Sequence, residues 1–229
     1  MKEAGRNWLY RDNVRDFFIA LALASAFFNP QEHFLVQSVV ALVLLALGTV
    51  LHITTKATLV RNRVPCNSGV YRLCRHPYYL ANFIVDISLC LLSGNVYLVL
   101  ACPFFFFWAY GPALRFEEEK MAGIHGDAYH EYLLQTPQIF LSAGNPVTLK
   151  EIFQEVSPAR VSRKEWIRIL RFWLVALALI FIHDVARTGV KSLYVPPINL
   201  DAMIIAGLMA VILILVITLS LLKKSRLPV

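Results

Sequence analysis

FLVQSVVALVLLALGTVLHI, residues 34–53, and AMIIAGLMAVILILVITLSLL, residues 202–222, decide the fold class. Neither stretch contains an Asp, Glu, Lys or Arg, and each has the length of roughly 20 residues a helix needs to cross a bilayer. Around them lie Val96–Leu114, bent by Pro103, Gly111 and Pro112, and Trp166–Ile182, whose Arg168 and Arg171 are expected to snorkel to the headgroups. Val14–Phe28 and Tyr79–Leu92 are shorter, and each ends at a turn signal, Asn29-Pro30 or Ser93-Gly94-Asn95, before another apolar run. Both read as arms of helical hairpins. The sequence therefore predicts an all-α, polytopic transmembrane bundle of about six spans. It is read as one integral membrane domain, 1–229, with a core at 34–140 and two additional C-terminal helices within 166–222.

Composition agrees, since 58% of the 229 residues are hydrophobic and only 16% charged. A soluble core cannot absorb that imbalance. The net charge of +7 would suggest nucleic acid in a soluble protein. Here alternate loops hold twenty of the Lys and Arg residues against two in the others, an asymmetry that predicts both termini and the two long polar loops in the cytoplasm. No nucleic-acid partner is needed. Residues 17–26 imitate a signal peptide, with Ala24-Ser25-Ala26 as its cleavage site, but are read as the first span. The four cysteines lack metal-ligand spacing and are expected to be free thiols.

Chemistry is expected in the two cytoplasmic segments. In the first, GVYRLCRHPYYLAN at 69–82, Pro77 excludes His76 from helical geometry and can open a helix itself. His76 and free backbone N–H groups would then face an anion at a helix N-terminus. An interfacial belt of Tyr and basic residues is the alternative reading. Asn82 and Asp86 follow four residues apart on one face within the membrane, where an ionisable group marks a functional site or pairs with a base. The second segment, 115–132, begins Arg115-Phe116-Glu117-Glu118-Glu119. Residues in a helix are about 100° apart, so at most two of the three glutamates can face one site. A cofactor clamped between the segments would meet water on one side and lipid on the other. The histidines are too scattered for a di-iron desaturase, no metal is expected, and Ser93 with His183-Asp184 makes a weak protease match.

Together the segments resemble the membrane-embedded methyltransferases that use S-adenosylmethionine, the group containing isoprenylcysteine carboxyl methyltransferases and phospholipid N-methyltransferases. The family pattern is Gly-x-Tyr-x-x-x-Arg-His-Pro-x-Tyr, then Arg, a Glu-Glu pair, an aliphatic residue, Phe-Gly, two tyrosines and a Pro. Gly69, Tyr71, Arg75, His76, Pro77 and Tyr79 match the first block, and Arg115, Glu117, Glu118, Met121, Gly126, Tyr129, Tyr132 and Pro137 the second. Ala81 stands where glycine is usual, and His125 where an aromatic precedes Gly126.

The resemblance implies that S-adenosylmethionine is held by Tyr71, Arg75, His76, Pro77, Tyr79, Ala81, Glu117 and Glu118. His76 and its backbone would take the amino-acid end, and Glu117 or Glu118 the amino or ribose groups. Arg115 and Glu118 would be catalytic, and Asn82, Asp86 and Tyr129 would contact an amphiphilic, lipid-like substrate arriving from the membrane lipids. A prenylcysteine carboxylate is favoured over a phospholipid amine because Arg115 suits a carboxylate. An NADPH-dependent sterol-type reductase would carry Asn where this chain has Tyr78. A non-catalytic lipid-binding protein is the remaining reading.

Overall fold

In the computed structural model, residues 2–29, 34–58, 68–140, 148–153 and 156–222 are described, with 2–14 and 34–35 described by their backbone alone. All regular structure among them is helical: α1 (Lys2–Phe28), α2 (Phe34–Thr58), α3 (Pro77–Leu92), α4 (Val96–His125), α5 (Asp127–Gln135), α6 (Leu149–Phe153), α7 (Arg163–Thr188) and α8 (Leu200–Leu221). Among the described residues, α2, α4, α7 and α8 are long and apolar enough to cross a membrane, and α3 is a shorter apolar helix. The protein is a polytopic helical membrane protein. Pro30, His33, Arg61, Arg63, Cys66 and Lys223–Arg226, on which parts of the sequence reading rest, lie outside the described residues.

The helices pack around α3. Ala22 and Ala26 of α1, Ala41 and Leu45 of α2, Val85 and Leu89 of α3, and Phe172 and Ala176 of α7 form one buried core. The signal-peptide-like stretch is thus part of a packed helix. The most extensive contact is between α2 and α3, and Gly48 makes it possible. A Cβ there would stand 2.9 Å from Val85 Cγ2 and 3.2 Å from the Ala81 carbonyl oxygen. By contrast α8 leans on α7, and much of its apolar surface faces outward, as expected of a helix that lipid surrounds.

The two ends of the bundle are built differently. At one end the α3–α4 turn is closed by Asn95, whose Oδ1 accepts from the N–H of Tyr97 at 3.0 Å while its Nδ2 donates to Ser25 Oγ at 3.1 Å. His183 Nε2 donates to the Leu92 carbonyl at 3.1 Å, and Ser93 Oγ donates to the Cys90 carbonyl at 2.6 Å. Ser93 and His183 therefore cap the end of α3, and neither is set against the other as nucleophile and base. At the opposite end α4 runs on beyond Leu114 as one 30-residue helix, about 45 Å long, which carries Glu117–Glu119 out to meet the start of α3.

Candidate functional site

The start of α3 is fixed from three directions. Pro77 is the first helical residue and is fully buried, and His76 precedes it as N-cap with φ −123° and ψ 59°, outside the helical region as an X-Pro residue should be. Upstream, Gly69 at φ +55° opens a single 3-10 turn, Gly69–Arg72. A Cβ at Gly69 would lie 3.1 Å from Thr58 Cγ2 and 3.2 Å from the Ile152 carbonyl oxygen, so a side chain would be both strained and crowded. Downstream of α5 the chain returns. The N–H groups of Arg75 and His76 donate to the carbonyls of Pro137 and Gln138 at 2.8 and 3.0 Å. This corrects the expectation of free backbone N–H groups, because the N–H groups of Tyr79 and Leu80 are likewise taken by the His76 carbonyl.

Two of the three glutamates face this turn, and Glu119 is exposed. Glu118 has most of its capacity filled. Its Oε1 accepts from Arg75 Nη1 at 2.8 Å and from His76 Nε2 at 3.1 Å, and its Oε2 accepts from Gln138 Nε2 at 3.1 Å. Glu117 accepts the Tyr79 hydroxyl on Oε1 at 2.7 Å. Its Oε2 stands 3.9 Å from His76 Nδ1, and the side chain is 42% exposed. The adjacent carboxylates therefore differ. Glu118 ties α4 to the His76 turn, while Glu117 keeps an oxygen toward open space. Beside them Arg75 Nε is buried with no hydrogen-bond partner among the described residues, a donor that a bound acceptor would satisfy.

Tyr129 on α5 is buried and close enough to both glutamates to feel their charge. Burial first, then the Glu118 carboxylate, push its hydroxyl up to about 12, so it stays a neutral donor at any physiological pH. Tyr132 anchors the same helix by donating to the Tyr71 carbonyl at 2.8 Å. Cys74, fully buried below the turn, has its thiol pushed up to about 12 by burial and is inert. Like Cys90 and Cys102 it is free.

The other predicted residues lie apart from this cluster. Arg115 is exposed on α4, two residues before Glu117. Ala81 is fully buried with its carbonyl toward Gly48, which makes it a packing residue of the α2–α3 contact. Asn82 is buried with Oδ1 unpaired among the described residues. Asp86 lines a small open cleft between α1, α3 and α4, with Arg15, Phe18, Cys102 and Tyr110 among its walls. Tyr110 joins the two places, because its ring also packs against Tyr79 at 5.5 Å between centroids.

Sequence reading missed Gln138 and the carbonyl of Pro137, whose partners lie about sixty residues away. It also missed a second polar cluster, on the other side of α3, formed by His52, Lys56, Tyr78, Glu165 and Arg168. Arg168 does not simply snorkel. It pairs with Glu165 at 2.8 Å and reaches the Tyr78 hydroxyl. Two pairs at helical spacing, His52 with Lys56 and Glu165 with Arg168, near the ends of two apolar runs were the available signal.

Residues 32–123 match the model of the isoprenylcysteine carboxyl methyltransferase family. No curated protein and no solved structure matches the chain. The matched stretch takes in α2, the His76 turn, α3 and α4 as far as Gly123. Arg75, His76, Glu117 and Glu118 fall inside it, and Tyr129, Gln138 and α7 outside.

Proposed function

We propose that this chain methylates a prenylcysteine carboxylate with S-adenosylmethionine where the His76 turn meets Glu117, a reading supported by the match of residues 32–123 to the model of the isoprenylcysteine carboxyl methyltransferase family. The observation that carries the reading is the unequal pair of carboxylates. Glu118 is consumed in holding the turn, while Glu117 keeps an exposed acceptor and Arg75, bonded to Glu118, keeps a buried Nε donor without a partner among the described residues.

These groups fit the cofactor's amino-acid end, which carries one positive and one negative charge. Arg75 Nε and His76 take its carboxylate, and Glu117 its amino or ribose groups. Tyr129 supplies a neutral hydroxyl, and Tyr71, Pro77 and Tyr79 set the turn that carries them. Ala81 acts at one remove, by letting α3 lie close on α2. When bound, S-adenosylmethionine supplies an electrophilic methyl group on a cationic sulfur. The negative field of Glu117 and Glu118 favours that cation, and the buried turn excludes water from it. A carboxylate nucleophile is already ionised, so no general base is required. Arg115 then acts by charge, holding one substrate oxygen while leaving the other to react.

The substrate is amphiphilic and comes sideways from the bilayer. Its tail lies along the α1–α3–α4 cleft past Asp86 and Tyr110, with Asn82 one turn nearer the His76 end of the same helix. The twenty-to-two asymmetry of basic residues supports six spans, α1 to α4 with α7 and α8, both termini and the His76 end being cytoplasmic. The shared core of α1, α2, α3 and α7 supports a single domain over 1–229.

The test is incubation of the purified protein with labelled S-adenosylmethionine and either a farnesylated cysteine or a phosphatidylethanolamine. The expected product is a base-labile methyl ester on the prenylcysteine. A base-stable methylamine on the phospholipid would move the activity to amine transfer. Label only on small water-soluble acceptors would defeat sideways access.

A further inference from the structure

We propose that Glu165, in α7 beyond the matched stretch, is a positioning residue of the cofactor site, acting through Tyr78 on the first turn of α3. This rests on the methyltransferase reading for its activity readout but not for its geometry. Glu165 lies near the start of α7 and is 14% exposed. Its Oε2 accepts from His52 Nε2 and from Arg168 Nη1, both at 2.8 Å, and its Oε1 stands 3.6 Å from Lys56 Nζ. His52 is fully buried in α2. One carboxylate thus gathers three groups from two helices.

The gathered groups converge on Tyr78. Arg168 donates to its hydroxyl, Lys56 Nζ sits 3.8 Å from its ring centroid, and the His52 ring packs on it at 4.8 Å. Tyr78 is the second residue of α3. Its neighbour Tyr79, whose ring meets that of Tyr78 edge-on at 6.0 Å between centroids, donates to Glu117. The first turn of α3 is therefore held between two polar clusters, one from α2 and α7 and one from α4. A shift of Tyr78 cannot occur without moving Tyr79, and through it the free oxygen of Glu117. Charge makes the hold specific. The Glu165 carboxylate is the anion that Lys56, Arg168 and His52 share around Tyr78, and in a poorly hydrated end of a bundle a cation that loses its anion is expelled toward water.

The experiment compares the full-length parent with Glu165→Gln, Glu165→Asp and Tyr78→Phe in detergent. S-adenosylmethionine binding is measured by calorimetry, KM and kcat by methyl transfer, and alkylation of Cys74 by peptide-resolved mass spectrometry. Glu165→Gln should raise the cofactor Kd and KM about tenfold, change kcat at saturating cofactor less than about twofold, and speed Cys74 alkylation, since that thiol and Tyr79 belong to one buried cluster. Glu165→Asp should recover most of the affinity, and Tyr78→Phe should shift it in the same direction by less. Unchanged Kd and unchanged Cys74 alkylation in Glu165→Gln overturn the proposal. So does a loss of binding sites at constant Kd, which marks mere unfolding. A parent that binds no cofactor, with Cys74 still exposed by Glu165→Gln, would sink the methyltransferase reading and leave the positioning role standing.

Discussion

Glu118 and Glu165 are near copies in chemistry and opposites in use. Each carboxylate is held by one arginine and one histidine, Arg75 and His76 for the first, Arg168 and His52 for the second. Each grips the start of α3, Glu118 from α4 through His76 and Glu165 from α7 through Arg168 and Tyr78. What separates them is what stands alongside. Glu118 has an exposed carboxylate beside it in Glu117, a buried donor without a partner in Arg75, and a neutral phenol in Tyr129. Around Glu165 the helices close, and the remaining orphan, His52 Nδ1, belongs to a fully buried ring. An ion cluster becomes a binding site when spare hydrogen-bonding capacity reaches open space. Without that opening it is a clamp.

The most severe way to break this contrast is to remove the Glu118 carboxylate. Glu118→Ala leaves Arg75 and His76 facing each other without an anion, and should cost about 3 kcal/mol of stability, read as a lower detergent-unfolding midpoint together with lost cofactor binding. Glu117→Gln should do the reverse. Its side chain is substantially exposed, so the unfolding midpoint should hardly move while cofactor affinity falls about tenfold. Equal effects of the two variants on stability would mean that the open and the closed carboxylate have been confused.

How far the sequence anticipated this division depends on the range of the interactions. Pro77 dictates where α3 begins, and three consecutive glutamates on a helix must send one to solvent, which is Glu119. These rules are local, and the structure obeys them. The boundary between α3 and α4 was legible for the same reason, from the turn signal Ser93-Gly94-Asn95, whereas α1 begins at Lys2 and α4 runs on to His125, beyond the apolar stretches that marked them. The Glu165 cluster was not, because His52 and Glu165 are 113 residues apart and a lone acid near the start of an apolar run carries no periodic trace. Arg168 looked like a headgroup ligand while only its own helix was considered. The closing of the Arg75 and His76 N–H groups by Pro137 and Gln138 is equally non-local, and it changed what the helix start could offer a ligand.

Gly48 sharpens the comparison from within the fold. It lies where α2 touches α3, and a methyl group there meets Val85 Cγ2 at 2.9 Å and a backbone oxygen at 3.2 Å. The side chain can turn, but the backbone cannot without separating the helices. Gly48→Ala should cost about 1 to 2 kcal/mol by overpacking. Since α2 carries His52 and Lys56, the damage should fall on the closed cluster first. Cys74 alkylation and cofactor Kd in Gly48→Ala should therefore resemble those of Glu165→Gln more than those of Glu117→Gln.

The mildest effect belongs to a third carboxylate–arginine pair, which has neither the burial of Glu165 nor the opening beside Glu118. Glu151 at the start of α6 accepts from Arg72 Nη1 at 2.6 Å and from the N–H and hydroxyl of Thr148, each at 2.8 Å, pinning α6 to the turn that leads to His76. The Thr148 hydrogen bonds, then Arg72, hold its carboxyl at about 2, below the usual 4.5. A depressed acid stabilises the fold above its unfolded value and loses that contribution as the pH falls toward its folded one. The pin should therefore hold above about pH 4.5 and loosen between there and pH 2. The pair is solvent-exposed, so global stability should barely respond. The place to look is local: pepsin cleavage within residues 148–160 should accelerate over that pH interval in the parent, and Glu151→Gln should flatten the acceleration. Cleavage with the same pH profile in both proteins would mean that the ion pair does not tether α6, and that Gly69 and the packing of Ile152 hold the turn unaided.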